Sequence, residues 1–573
     1  MLTPRPSPEL LVLTAAMALA LACSDRDARN ATTMDSGLPM SDGLRAYDVQ
    51  RYTLRHDILI ERQAIAGSAT VRIKALEAMD VLELDFDGAY RIERVEGSRG
   101  PLEYERSDSK LFVSLGETVA AEDILEVTVF YDGKPVRAAK APWDGGFVWS
   151  ETPSGKPWIA TAIQAEGCDI WWPCKDHPSD EPDGLDLYIT VPDDLVVAAN
   201  GLLMDVSDEP DGRKTFHWQT NVSTNLYGVA LNIAPYVVIE GSFTSTNGTR
   251  VPLNFWAIED HESEARQLFD DELPKIVEFF ERVVGPYPWG QEKLGIAETP
   301  HLGMEHQTIN AYGNEFKRDK YGFDWLLHHE LAHEWFGNLV SSKNYADLWL
   351  HEGFGAYMQP VYTREVMGEA AFHARMYEVY LKIKACHPVA PRDELSDGQM
   401  FGDDGPGGDI YGKGAWVLHS LRYVMGEDAF WKAVRVLTYG TAEADGLAPP
   451  IAARHRTTDD FLEIAGQGVG YDLTWFFEVY LRTAAVPELV LRQDGEDLLL
   501  EWRTEDDLPF DMPVPVRIGG DLSRIEFSEN RARLTGVTSA DVQIDPFMQI
   551  LRKLPSLPTC EEREAEAEAD DEA

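Results

Sequence analysis

Cysteine is scarce in this sequence, basic residues are outnumbered, and no apolar run is long. The chain has five cysteines in 573 residues and no CxxC pair, which argues against a cysteine-built metal centre. Lysine and arginine total 51 against 98 aspartates and glutamates, a formal charge of −47. So acidic a surface repels phosphate backbones, excluding nucleic acid as a partner. The longest apolar run, residues 10–22, is far short of the roughly 20 residues a membrane-spanning helix needs. There is no internal repeat. The rest is ordinary for a globular protein, with 44% apolar and 10% aromatic residues. At roughly 150 residues per domain the length suits three or four domains.

The run 10–22 follows a single basic residue, Arg5, and ends in LALAC at Cys23. This is the anatomy of an export signal. A cysteine directly after small residues resembles the lipobox of bacterial lipoproteins, although Ala20 and Leu21 reverse the usual order. The expectation is an exported protein of the bacterial cell envelope, on its periplasmic or outer-membrane face, tied to a membrane by a lipid on Cys23. An ordinary cleaved signal is the alternative. In an exported chain Cys168 and Cys174 can close a short disulfide loop or remain two buried thiols.

Periodicity divides the chain into a multidomain α+β protein. After a signal at 1–23, residues 24–45 are polar and read as a linker. Short alternating runs such as YTLRHDILI, ATVRIKAL and ILEVTVFYD fill 46–245 and predict an N-terminal β-sandwich. Helical periodicity dominates 246–485, with Pro274 expected to kink or divide the helix written EARQLFDDELPKIVEFFERVV. Strand patterns return over 486–555 as a small second β-sandwich. The segment 556–573 is acidic, of low complexity and expected to be disordered.

The chemistry centres on HHELAHEWFGN at 328–338. His329 and His333 stand four apart, which on a helix places both imidazoles on one face, able to grip one zinc ion. Glu330 beside the first can reach a water at that ion. Zinc needs a third protein ligand, and Glu352, nineteen residues after His333, is a carboxylate that a second helix can bring back. HExxH alone is a short pattern that chance also writes.

The longer text HELAHEWFGNLVSSKNYADLWLHEGFGAY, with PYPWG at 286–290 before it and YGKGA at 411–415 after it, resembles the M1 family of zinc aminopeptidases. The likeness spans roughly 48–550. It implies an N-terminal β-sandwich, a thermolysin-like, mainly helical catalytic domain and a small C-terminal β-sandwich. It also implies one zinc per chain held by His329, His333 and Glu352, Glu330 as general base, and Tyr411 as hydrogen-bond donor to the developing oxyanion. HLGMEHQTINAYGN at 301–314 resembles the family's exopeptidase motif. That likeness assigns Gly303, Met304 and Glu305 to substrate binding, with Glu305 on the free α-ammonium; Leu302 and His306 depart from the pattern. IQAEGCDIWWPC at 163–174 resembles the segment that gives a second amine contact, from Gln164. Asp347 is either a partner of a ligand histidine or a helix cap. Trp171 and Trp172 read as core or pocket wall, and His328 and His351 as bystanders. Glu334 stands where glutamine is common in the family.

The expected activity is zinc-dependent removal of single residues from peptides with a free N-terminus, with no obligate protein partner. The alternatives are a zinc endopeptidase or other zinc hydrolase of the same fold, or a non-catalytic peptide-binding surface protein.

Overall fold

The structure, a computed structural model, describes residues 35–107, 109–558 and 560. The expected signal and lipid site, and the acidic tail beyond 560, lie outside the described residues.

Alternating apolar side chains build the N-terminal half. In Tyr47–Leu59 an irregularity between Val49 and Arg51 shifts the phase. Val49, Tyr52, Leu54, His56 and Ile58 therefore all turn inward. This strand pairs antiparallel with Ala64–Ala75 and parallel with Leu185–Pro192, at the centre of an eight-stranded sheet. A four-stranded sheet, including Gly146–Glu151 and Pro157–Ala162, and a three-stranded sheet complete the half. Their shared core is rich in aromatics, with Trp171 and Trp172 fully buried. Cys168 and Cys174 are joined in a disulfide that closes the turn below these tryptophans.

The polar segment 24–45 is not a free linker in its described part. Asp35 and Ser36 are buried, because Asp35 accepts from Ser396 and the Gly398 N–H while Ser36 bonds Asp176 and Tyr345. A single turn, Asp42–Arg45, capped by Ser41, then leads into the first strand. The polar side chains that suggest solvent are here the partners of buried polar groups on two sides.

The second half opens with a five-stranded mixed sheet in the order Tyr236–Thr244, Arg250–Ile258, Leu294–Glu298, Asn310–Tyr312, Gly303–Met304. A boundary at 245 cuts through its first hairpin, whose strands pair over their full lengths. Helices of eight residues or more follow: α1 Glu262–Asp271, α2 Leu273–Val283, α3 Trp325–Ala332, α4 Trp349–Met367, α5 Glu369–Tyr380, α6 Asp409–Met425, α7 Glu427–Tyr439, α8 Thr458–Val469 and α9 Thr474–Leu481. Pro274 stands in the first turn of α2 and separates it from α1, since it cannot donate to a continued ladder.

Two three-stranded sheets between Glu488 and Ile544 close the fold. Their inward residues Leu498, Leu500, Trp502, Val514 and Val516 merge with the helical core rather than forming a separate one. A second disulfide, Cys386–Cys560, ties the end of the described chain back to the segment after α5.

Candidate active site

The site is assembled where α3 and α4 cross. Asp324 caps α3 by accepting from the Leu326 and Leu327 N–H groups at 3.0 and 3.1 Å. The helix ends at Ala332, and His333 sits at its C-cap, one turn from His329 on the same face. His329 Nε2 and His333 Nε2 lie 3.3 Å apart. Glu352, in the first turn of α4, brings Oε2 to 3.5 Å from the former and 3.6 Å from the latter.

Glycines permit this crossing. A Cβ on Gly355 would lie 3.0 Å from the His329 ring and 3.2 Å from that of His333. Gly353 faces Gly414 of α6, where either Cβ would meet the other's Cα at 3.1–3.2 Å. That close approach sets Tyr411, in the first turn of α6, beside Glu352 and His329. Burial and the Glu352 carboxylate push the Tyr411 hydroxyl upward, so it remains a donor.

The trio fits a tetrahedral cation. Ligands about 2.0–2.1 Å from such an ion lie about 3.3 Å from one another, close to the separations here. His333 Nδ1 donates to the Phe336 carbonyl at 2.7 Å, which leaves the Nε2 lone pair for a metal. Glu352 Oε2 is buried with no hydrogen-bond partner. A desolvated carboxylate oxygen without a partner is costly unless a cation meets it.

Two further carboxylates face the same space: Glu305 and Glu330 form a second cluster with His333. Burial, then Glu305 and Glu352, push the Glu330 carboxyl up; burial also raises Glu305, whose Oε1 is orphaned. Gly303 leaves room for Glu330, since a Cβ there would stand 2.5 Å from its Oε1. Gly303–Met304 is the edge strand of the mixed sheet, pairing with Tyr312 and Ala311 on one side only.

Of the expected site residues, the structure draws His329, His333, Glu352, Glu330, Glu305, Gly303, Met304 and Tyr411 together. Gln164 meets Tyr345, its carbonyl accepting from the Tyr345 hydroxyl at 3.4 Å. Asp347 accepts from the Thr458 N–H and hydroxyl at 2.8 and 2.7 Å, at the start of the α8 helix that Thr457 caps, so it turns to α8 rather than to a ligand histidine. His328 stacks on Tyr362 in an aromatic cage with Phe279, Phe280 and Phe323, away from the metal trio. Tyr227 belongs at the site although no local motif marks it. It packs with Met304 and Ala311, and its buried hydroxyl is raised by Glu305 and Glu352.

Residues 48–227 match the model of the peptidase M1 N-terminal domain, and residues 271–478 match that of the peptidase family M1 domain. The chain belongs to peptidase family M1. This family is one of zinc metallopeptidases, the ion that the trio suits. The chain is similar to leucine aminopeptidase 2 of Ajellomyces capsulatus, 25% identical over 57% of this chain and 52% of that protein. It is also similar to probable aminopeptidase 2 of Sulfurisphaera tokodaii, 24% identical over 71% and 50%. The M1 chain thus spans about half the length of the curated relatives it matches. Among solved structures, an M1 zinc metallopeptidase of Deinococcus radiodurans, in a mutant bound to a Tyr-Ser-Ala substrate, shares the M1 fold. Its TM-score is 0.66 at 21% identity, covering 79% of this chain and 98% of that one.

Proposed function

We propose that this protein is an exported zinc aminopeptidase, with one zinc per chain, that removes single residues from peptides with a free N-terminus. The observation that carries the reading is the charge of the site. Glu305, Glu330 and Glu352 are all buried, and among the described residues no lysine or arginine forms an ion pair with any of them. Three buried carboxyls without a lysine or arginine partner match one dication and one substrate α-ammonium.

Each side chain has a task in that scheme. His329, His333 and Glu352 would hold the zinc. When bound, the ion supplies Lewis acidity, polarising a carbonyl and acidifying water to a pKa of about 7. Glu330 accepts the proton of the attacking water and returns it to the leaving amine nitrogen. Tyr411 donates to the carbonyl oxygen as negative charge gathers there. Glu305 takes the α-ammonium, which limits the chain length between N-terminus and scissile bond to one residue. The unpaired edge of Gly303–Met304 offers backbone groups to an extended substrate.

Delivery to the envelope and a lipid on Cys23 belong to the same proposal. The apolar run 10–22 supports them, as do two disulfides, which suit an oxidising compartment.

The test is hydrolysis of aminoacyl-7-amido-4-methylcoumarin substrates with and without a chelator. Chelator-sensitive release from free-amine substrates alone is expected. Equal release from N-acetylated substrates would make the protein an endopeptidase, and silence with zinc bound would mean either an unusual substrate or a binding protein.

A further inference from the structure

The PYPWG run and the glutamate after the second histidine take no part in the reaction above, yet they meet. Glu334 is fully buried one residue beyond His333. Its Oε1 accepts from the Asn310 side-chain amide at 2.8 Å, the Thr308 N–H at 3.1 Å and the Tyr287 hydroxyl at 3.3 Å. Its Oε2 accepts from the Trp289 indole N–H at 2.9 Å and the Asn338 amide at 3.2 Å. Five donors, one of them the Tyr287 hydroxyl shared with the nearer Lys293 carbonyl at 3.0 Å, fill a group with about four lone-pair sites, so this carboxylate has nothing left for a ligand.

What the donors belong to gives the hub its meaning. Thr308 lies on the loop that follows Glu305, and Asn310 opens the strand Asn310–Tyr312 at the end of that loop. Asn338 carries the network one step further, its Nδ2 also donating to the Glu305 carbonyl at 3.0 Å. The loop holds a strained residue: Thr308 has φ +63°, a left-handed conformation that β-branched residues avoid. Its N–H is held by Glu334, and its hydroxyl accepts from the Gly201 N–H at 2.9 Å. Gln307 next to it is clamped by Asn200 and by the Ser223 carbonyl.

We propose that Glu334 is a positioning residue for amine recognition: through Thr308, Asn310 and Asn338 it fixes the loop that aims Glu305 at the substrate's α-ammonium. The proposal rests on the aminopeptidase reading. Where the family commonly has glutamine, the donors that this chain supplies call for a carboxylate. An amide turns one acceptor into an NH2 group, and in either orientation that group faces at least two of the five donors. Turned toward Trp289 and Asn338, it displaces the amide that holds the Glu305 carbonyl. Turned the other way, it releases Thr308 and Asn310.

The experiment compares Glu334→Gln and Glu305→Gln with the wild-type holoenzyme. It reads zinc content, kcat and KM on a free-amine aminoacyl coumarin, and competitive inhibition by free leucine. Glu334→Gln is expected to keep its zinc, to hold kcat within about threefold, and to raise both KM and the inhibition constant about tenfold, in step with Glu305→Gln. A Glu334→Gln enzyme whose KM and inhibition constant are unchanged, while Glu305→Gln raises both, overturns the positioning role. So does one that loses zinc, or loses kcat at constant KM. If Glu305→Gln itself leaves both constants unchanged, the amine assignment beneath the proposal is what fails, and the proposal with it. Should Glu334→Gln not fold, Asn338→Ala cuts the last link alone and carries the same expectation.

Discussion

Glu330 and Glu334 stand one turn apart on either side of His333, both buried, and their surroundings are opposite. Glu330 shares its space with Glu305 and Glu352, two carboxylates that each leave an oxygen orphaned. Glu334 is met by five donors from three segments of the chain. A carboxylate buried among other carboxylates is unstable without added positive charge, so it marks where ligands enter. One saturated by donors is already neutralised by dipoles and holds structure. Residue type does not separate the two, since both are glutamates beside a histidine; the sequence marks Glu330 only by its place inside HELAH.

The comparison can be broken most sharply at Glu330. Glu330→Gln should retain zinc and lower kcat about 10³-fold, the scale of a lost general base, measured by steady-state turnover beside metal analysis. Normal turnover would remove Glu330 from the ligand-facing class. Tyr411→Phe comes next: losing one donor to an oxyanion is expected to lower kcat about 10²-fold with KM little changed. Packing follows. Gly353→Ala pushes a methyl into α6 at Gly414 and should cost about 1–3 kcal/mol in a denaturant titration, with activity falling as Tyr411 shifts.

At neutral pH the smallest effect lies on the donor-saturated side, far from the metal, and it grows only in acid. Burial pushes His56 down to about 3, and its ring is already committed, with Nδ1 accepting from Trp171 at 3.3 Å and Nε2 meeting the Tyr131 hydroxyl at 2.7 Å. A histidine whose folded pKa is depressed leaves the unfolded chain holding more protons between that value and the unfolded one of about 6.5. Its stabilising effect is therefore present above about pH 6.5 and is lost as pH falls toward 3, at about 1.4 kcal/mol per pH unit. His56→Phe should flatten that part of a stability–pH profile, whereas an unchanged slope would assign it elsewhere.

What was legible in the sequence was what helical spacing and motif order encode. The four-residue step puts His329 and His333 on one face beside Glu330, and it is the resemblance of the longer text to M1 sequences that gives Glu352 its place as third ligand. The strand-to-helix change along the chain gave the α+β architecture, because alternation and 3.6-residue periodicity are local. Contacts between distant segments were not legible. Tyr227 reaches Met304, Asp347 turns to α8 rather than to a histidine, and Cys386 finds Cys560. Asp35 and Ser36 look like linker because polarity reads as exposure, yet their partners at Ser396, Asp176 and Tyr345 bury them. The C-terminal strands alternate like a separate domain, and only packing reveals that their inward face completes the helical core.

The most direct measurement is zinc content after exhaustive dialysis in two variants made side by side, Glu352→Gln and Glu334→Gln. Both remove one buried negative charge near His333. The account predicts that Glu352→Gln loses the metal while Glu334→Gln retains about one zinc per chain, because an open zinc site needs all three of its protein ligands and Glu334 is not one of them. Retention in Glu352→Gln together with loss in Glu334→Gln would contradict it.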